Sequence, residues 1–123
     1  MAWEIKATAQ VKSWQESLNE EERLSFIAAL DLLREGGPTQ GRPIVERIHN
    51  SHHQNMKELR PRGAGKDLRI LFMFDPLRQA ILLFGGSKAR QWNDWYRSAI
   101  PEAESLYEQY LADLRSQGEL PDP

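Results

Sequence analysis

The chain has 123 residues, 40% hydrophobic and 28% charged, with a formal net charge of −2 and no cysteine. That is enough for one domain with a modest core, and the missing thiols exclude disulfides, thiolate metal sites and cysteine nucleophiles together. The longest apolar run, AILLF, is far too short to cross a bilayer, and MAWEIKATAQ lacks a signal-peptide core, so a cytoplasmic protein is expected.

WEIKAT alternates as a short strand, with Trp3 and Ile5 on one face. VKSWQESL follows with Val11, Trp14 and Leu18 at i, i+3 and i+7, the apolar stripe of a short helix. Asn19 with Glu22 three residues on reads as a capping box opening a second helix, whose apolar side is Phe26, Ile27, Leu30 and Leu33. Gly36-Gly37-Pro38 stops it. IVERI fits a short helix or an extended piece equally, and SHHQN is a polar connector.

NMKELR, LRILFMF and QAILLF read as strands, joined by PRGAGKD and by the tight turn DPLR. Connections this short predict an antiparallel meander. The middle strand is apolar on both faces apart from Arg69, so it should be central and covered on both sides. GGSKARQWNDWY returns toward helix, and Pro101 with Glu102 and Glu104 is expected to open a last helix bearing Leu106, Tyr110, Leu111 and Leu114. The reading is β-α-α-β-β-β-α, an α+β fold with a small antiparallel sheet, an N-terminal helical pair and a C-terminal helix. One domain is expected over residues 1–115, with 116–123 a disordered tail.

Charge is uneven along the chain. Residues 55–100 hold nine Lys and Arg against four Asp and Glu, whereas both flanks are acidic. Strand alternation puts Met56, Glu58 and Arg60 on one face of their strand, with Lys57 and Leu59 on the other. Antiparallel pairing would bring Arg60 beside Arg69, where an anion such as phosphate, or carboxylates from Glu58, Asp67 or Asp75, must satisfy them. Lys88 and Arg90 in GGSKAR add charge at the same end of the sheet, although the P-loop spacing is missing and a plain turn is the stronger reading of that loop. Trp92 and Trp95 read as core, while Tyr96 could stack a base, orient a ribose or move a proton. His52 and His53 could act as general acid or base, or be exposed polar surface. Adjacent histidines without a spaced carboxylate set make a metal site unfavourable.

Taken together, SHHQNMKELRP, LRILFMFDPLRQAILLFGGSK and W..WY..AIPEAE..Y..YL resemble toxins of the RelE/ParE superfamily, most closely the HigB-like, phage-derived branch. The resemblance runs from about Trp3 to about Leu114. It implies a type II toxin acting as a ribosome-dependent, metal-independent endoribonuclease on messenger RNA, with no cofactor. The implied partners are a helix-turn-helix (HigA-like) antitoxin, the ribosome and mRNA, with no membrane. Arg69 matches the strand arginine placed on the scissile phosphate, Arg60 lies on the strand that supplies basic residues in RelE, and Tyr96 matches an aromatic used for stacking or proton transfer. Glu58 stands where RelE-type members place a lysine. On this reading Arg69 and Arg60 clamp phosphate and Glu58 is the candidate base, with His52 or His53 the alternative. Lys57, Lys88, Arg90, His52 and His53 would bind substrate. A ParE-like gyrase inhibitor, a non-catalytic antitoxin-binding member and a plain interaction domain are the other readings.

Overall fold

The computed structural model describes residues 2–87 and 91–121. Its elements run β1 (Glu4–Ala7), α1 (Ala9–Gln15), α2 (Glu20–Gly36), β2 (Val45–Arg47), β3 (Lys57–Leu59), β4 (Leu68–Phe74), β5 (Gln79–Ser87) and α3 (Trp92–Ser116). The sheet order is β1-β5-β4-β3-β2. The expected meander is present as β3-β4-β5, all antiparallel, and two strands extend it. IVERI resolves as extended, pairing antiparallel with β3 as an edge strand. β1 pairs parallel with β5, which makes the sheet mixed and not purely antiparallel. The α1–α2 excursion permits that, because a parallel partner needs a long connection.

β4 is central for the reason its composition suggests. Leu68, Ile70 and Phe72 face α1 and α2, joining Val11, Phe26, Leu33 and Leu59 in one core. Leu71 and Met73 face α3, joining Met56, Ala99, Ile100 and Ala103 in a second. Burial of each large aliphatic side chain contributes about 1.5–3 kcal/mol, so a strand buried on both faces anchors the two layers together. The capping box at the start of α2 forms as expected, with Glu22 N–H donating to Asn19 Oδ1 at 2.8 Å and Asn19 N–H to Glu22 Oε1 at 3.0 Å.

The C-terminal helix corrects one expectation. α3 starts at Trp92, nine residues before Pro101, and runs through that proline. The apolar stripe of Trp95, Ala99, Ile100, Ala103 and Tyr107 crosses Pro101 without a break, and packing against β4 and β5 outweighs the lost hydrogen bond. Pro101 and Arg97 are both exposed, so water can satisfy the carbonyl that the proline leaves without a donor. Gly118, at φ +76°, closes the helix, its N–H reaching the Arg115 carbonyl at 3.0 Å.

A bulge tunes β5. Leu71 of β4 pairs with Phe84, whereas its neighbour Phe72 pairs with Leu82. Leu83 is therefore the extra residue, and the strand's alternation resets beyond it. Gly85 then faces Trp14 of α1, and Gly86, opposite Arg69, faces Trp95 of α3. At the other end of β4 the buried Asp75 fixes the hairpin. It accepts from the Leu77 and Gln79 amides at 3.0 and 2.8 Å and from the Tyr110 hydroxyl at 2.6 Å.

Candidate active site

The polar exceptions in otherwise apolar strands meet on the α3 face. Glu58 stands opposite Leu71 in the β3–β4 ladder, and Leu59 opposite Ile70, which brings Arg60 toward Arg69. Tyr96 lies about one turn before Ala99 and Ile100 on the packed side of α3, so its ring passes over the same end of the sheet. The Tyr96 hydroxyl donates to Glu58 Oε2 at 2.6 Å and accepts from Arg69 Nη1, while Arg60 Nε donates to Glu58 Oε1.

Glu58 is 0% exposed, so its charge depends on these partners. Both carboxylate oxygens are engaged. The sequence left open whether carboxylates or an anion satisfy the two arginines, and the answer differs between them. Arg60 has the carboxylate. Arg69 has the phenol and two aromatic faces, its guanidinium carbon lying 4.3 Å from the Trp92 ring centre and 5.6 Å from that of Tyr96. Trp92 is therefore a half-exposed wall over Arg69, and not the core residue expected. Trp95 packs as expected against Phe84, 6.2 Å between ring centres. It approaches so closely that a Cβ on Gly86 would lie 2.4 Å from its Nε1. Gly85 and Gly86, which lie inside β5 and not after it, do permit close approach, and what approaches them is indole.

Burial raises the Tyr96 pKa, and the hydrogen bond and charge of Glu58 raise it further against the opposing pull of Arg69. The phenol is thus neutral at ordinary pH and able to donate. Burial weakens the charge of Arg60, but Glu58 and Tyr96 outweigh it and the pKa is raised overall.

Two adjoining grooves open here. One, of about 410 Å³, is lined by Asn50, His52, Asn93, Tyr96, Arg97 and Glu104 among others. The second, of about 210 Å³, holds Glu58, Arg60 and Tyr96 together with Arg47, His49 and Asn93. The histidine loop is tied down by the buried Glu104, whose Oε2 accepts from Ser51 Oγ at 2.9 Å and from the His52 backbone N–H.

The structure brings Glu58, Arg60, Arg69 and Tyr96 together and places His52 in the neighbouring groove. His53 is elsewhere: its ring packs edge-on against Tyr107, 5.7 Å between centres. Tyr107 is eleven residues along α3 from Tyr96, roughly 16 Å down the axis. Lys57 points to the opposite face, its ammonium 5.3 Å from the Phe74 ring centre. Lys88 and Arg90 lie outside the described residues. His49, Arg47 and Asn93 were missed. The signal for His49 was a third histidine three residues before His52, and for Arg47 a basic residue in IVERI, the segment whose strand character stayed open. Among the described residues no group of three or more His, Asp or Glu is arranged to hold a metal ion, and no helix is long and apolar enough to cross a membrane.

Comparison with known proteins places this geometry in a family. Over 109 residues, 89% of this chain and 94% of the other, the chain is 50% identical to "Putative toxin HigB3" of Mycobacterium tuberculosis (strain ATCC 25618 / H37Rv). Its fold is similar to that of a mutant of the E. coli toxin RelE in the free state, with a TM-score of 0.59 at 12% identity, covering 82% of this chain and 97% of that one. It is also similar to the archaeal RelE–RelB complex of Pyrococcus horikoshii OT3, with a TM-score of 0.55 at 20% identity, covering 74% of this chain and all of the matched chain. At these identities the solved structures establish the fold, a RelE-like α+β arrangement. The model of the family described as "Phage derived protein Gp49-like (DUF891)" matches residues 13–108, and the chain belongs to that family.

Proposed function

We propose that the chain is a toxin of a type II toxin–antitoxin pair that cuts messenger RNA on the ribosome without metal. The half-identical relative named as a toxin and the RelE-like fold support the class. The observation that carries the chemistry is the linear array Arg69–Tyr96–Glu58–Arg60 bordering an open groove.

RNA brings its own nucleophile. The 2′-oxygen attacks the adjacent phosphorus and the bond to the 5′-oxygen breaks, leaving a 2′,3′-cyclic phosphate and a 5′-hydroxyl. The 2′-hydroxyl proton passes to Tyr96 as the Tyr96 proton passes to Glu58, so no free phenolate is needed. The departing 5′-oxygen takes a proton from an imidazolium, and His49 is the histidine that lines the groove of Glu58. Arg69 and Arg60 face the charge that grows on the non-bridging oxygens, a contribution of about 10²–10³ in rate for each preorganised donor. Trp92 and Tyr96 offer ring faces to the flanking bases.

The cognate partner is an antitoxin of the helix-turn-helix, HigA-like kind, and the place of action is the cytoplasm, where ribosomes and messages are. Expression of the chain alone in cells tests the class of target. Arrested translation with cut messages and undamaged DNA is expected. Gyrase-linked DNA breaks with intact messages would replace the nuclease with a ParE-like inhibitor, and normal growth would leave a non-catalytic antitoxin-binding protein.

A further inference from the structure

The edge strand β2 carries a second basic groove that the Tyr96 array does not use. In the β2–β3 ladder Arg47 stands directly opposite Lys57. Like charges at facing positions repel, with Cβ atoms only about 5 Å apart. Burial and the charge of Arg47 together lower the Lys57 pKa. Among the described residues no carboxylate forms an ion pair with either cation. Glu46, the acid next to Arg47, is held by Arg42 at 2.8 Å.

These groups line a groove of about 510 Å³ with Asn55, Gln40 and His49. Arg47 and His49 also line the groove that holds Glu58, Arg60 and Tyr96. The two depressions share Arg47 and His49 at the edge strand β2, so a chain leaving the Tyr96 array must round this edge to reach Lys57 on the other face of the sheet.

We propose that the Arg47–Lys57 groove is a phosphate subsite for single-stranded RNA, holding the backbone a nucleotide or two from the bond placed over Tyr96. The proposal rests on the nuclease reading above. A phosphodiester satisfies both cations with one compact anion and removes the repulsion between them, with Arg47 offering a planar fork and Lys57 a point charge. An acidic protein segment would supply charge too, but Val45 is the one aliphatic residue of the lining among the described residues, so such a segment would find no cluster of apolar side chains to anchor it.

The test is fluorescence anisotropy with a labelled single strand of about twelve nucleotides, 2′-O-methylated so that it cannot be cut, over about 50–200 mM salt. Losing the one phosphate held between them in the Arg47→Gln/Lys57→Gln double variant should lower the slope of log affinity against log salt by about 0.7. The melting temperature should hold or rise, because the repulsion is gone. An unchanged slope, failure of the wild-type protein to bind the strand, or tighter binding of a duplex of the same length each overturns the proposal. The duplex result would give the groove to folded ribosomal RNA. Message cleavage is assayed alongside: cleavage with an unchanged slope removes the subsite and keeps the nuclease, whereas a lowered slope without cleavage by the wild-type protein keeps the RNA groove and removes the nuclease.

Discussion

Arg69 and Glu58 meet through a single atom, the Tyr96 hydroxyl, which accepts from the guanidinium and donates to the carboxylate at 2.6 Å. A charge change at either end of the array is therefore felt at the other through the phenol. Tyr96→Phe removes that atom while keeping the ring over Arg69. Message cleavage should fall by about 10²–10⁴-fold with substrate affinity held within a few-fold, as single-turnover and binding measurements would show. Unimpaired cleavage would remove Tyr96 from proton transfer.

Glu58 and Arg60 should respond unequally to mutation. Arg60→Ala leaves an uncompensated carboxylate at a site that is 0% exposed, at a cost of roughly 3 kcal/mol. Glu58→Gln leaves Arg60, whose side chain is 37% exposed, free to turn to water, at a cost of about 1 kcal/mol. Urea titrations of the two variants decide it, and equal losses would mean that the pair is not buried as described.

Gly86→Ala tests the packing behind Arg69. The added methyl would sit 2.4 Å from Trp95 Nε1, so the indole must move or the strand must bend, at about 1–3 kcal/mol. Tryptophan emission should shift along with the stability. An unaltered spectrum and midpoint would contradict the close approach of α3 to β5.

All three tyrosines have raised pKa values, each chiefly through burial, with Glu58 adding to it at Tyr96 and Asp75 at Tyr107 and Tyr110. The folded protein thus holds phenolic protons that the unfolded chain releases near pH 10. Stability from these groups is fully present below about pH 10 and is lost as pH rises through the folded values. Absorbance titration of the native protein should show no phenol ionising at the ordinary value. A component at about pH 10 with the fold intact would refute the burial of at least one.

The faces of β3 and β4 were legible because alternation is strict and Glu58, Arg60 and Arg69 are the charged interruptions of apolar rows. The same rule put Lys57 on the other face, where it lines the groove at β2 and stands apart from the Arg69 set. β2 was not legible: three residues carry no usable period, and their pairing with β3 is decided by contacts beyond IVERI. That hid Arg47 and His49. The parallel pairing of β1 with β5 is likewise set by partners more than 70 residues apart. Pro101 was given its usual place in a first turn, which hid that Trp92 and Tyr96 already belong to the helix and share the Arg69 guanidinium.

The central claim, that the Arg69–Tyr96–Glu58–Arg60 array cuts message on the ribosome, is tested most directly by primer extension of messages incubated with the purified protein and EDTA, on translating ribosomes and as naked RNA. Discrete 5′ ends on ribosomes only, absent with Arg69→Ala although that variant melts as a folded protein, are the predicted result. Intact messages under both conditions, or cuts that persist in Arg69→Ala, would contradict it.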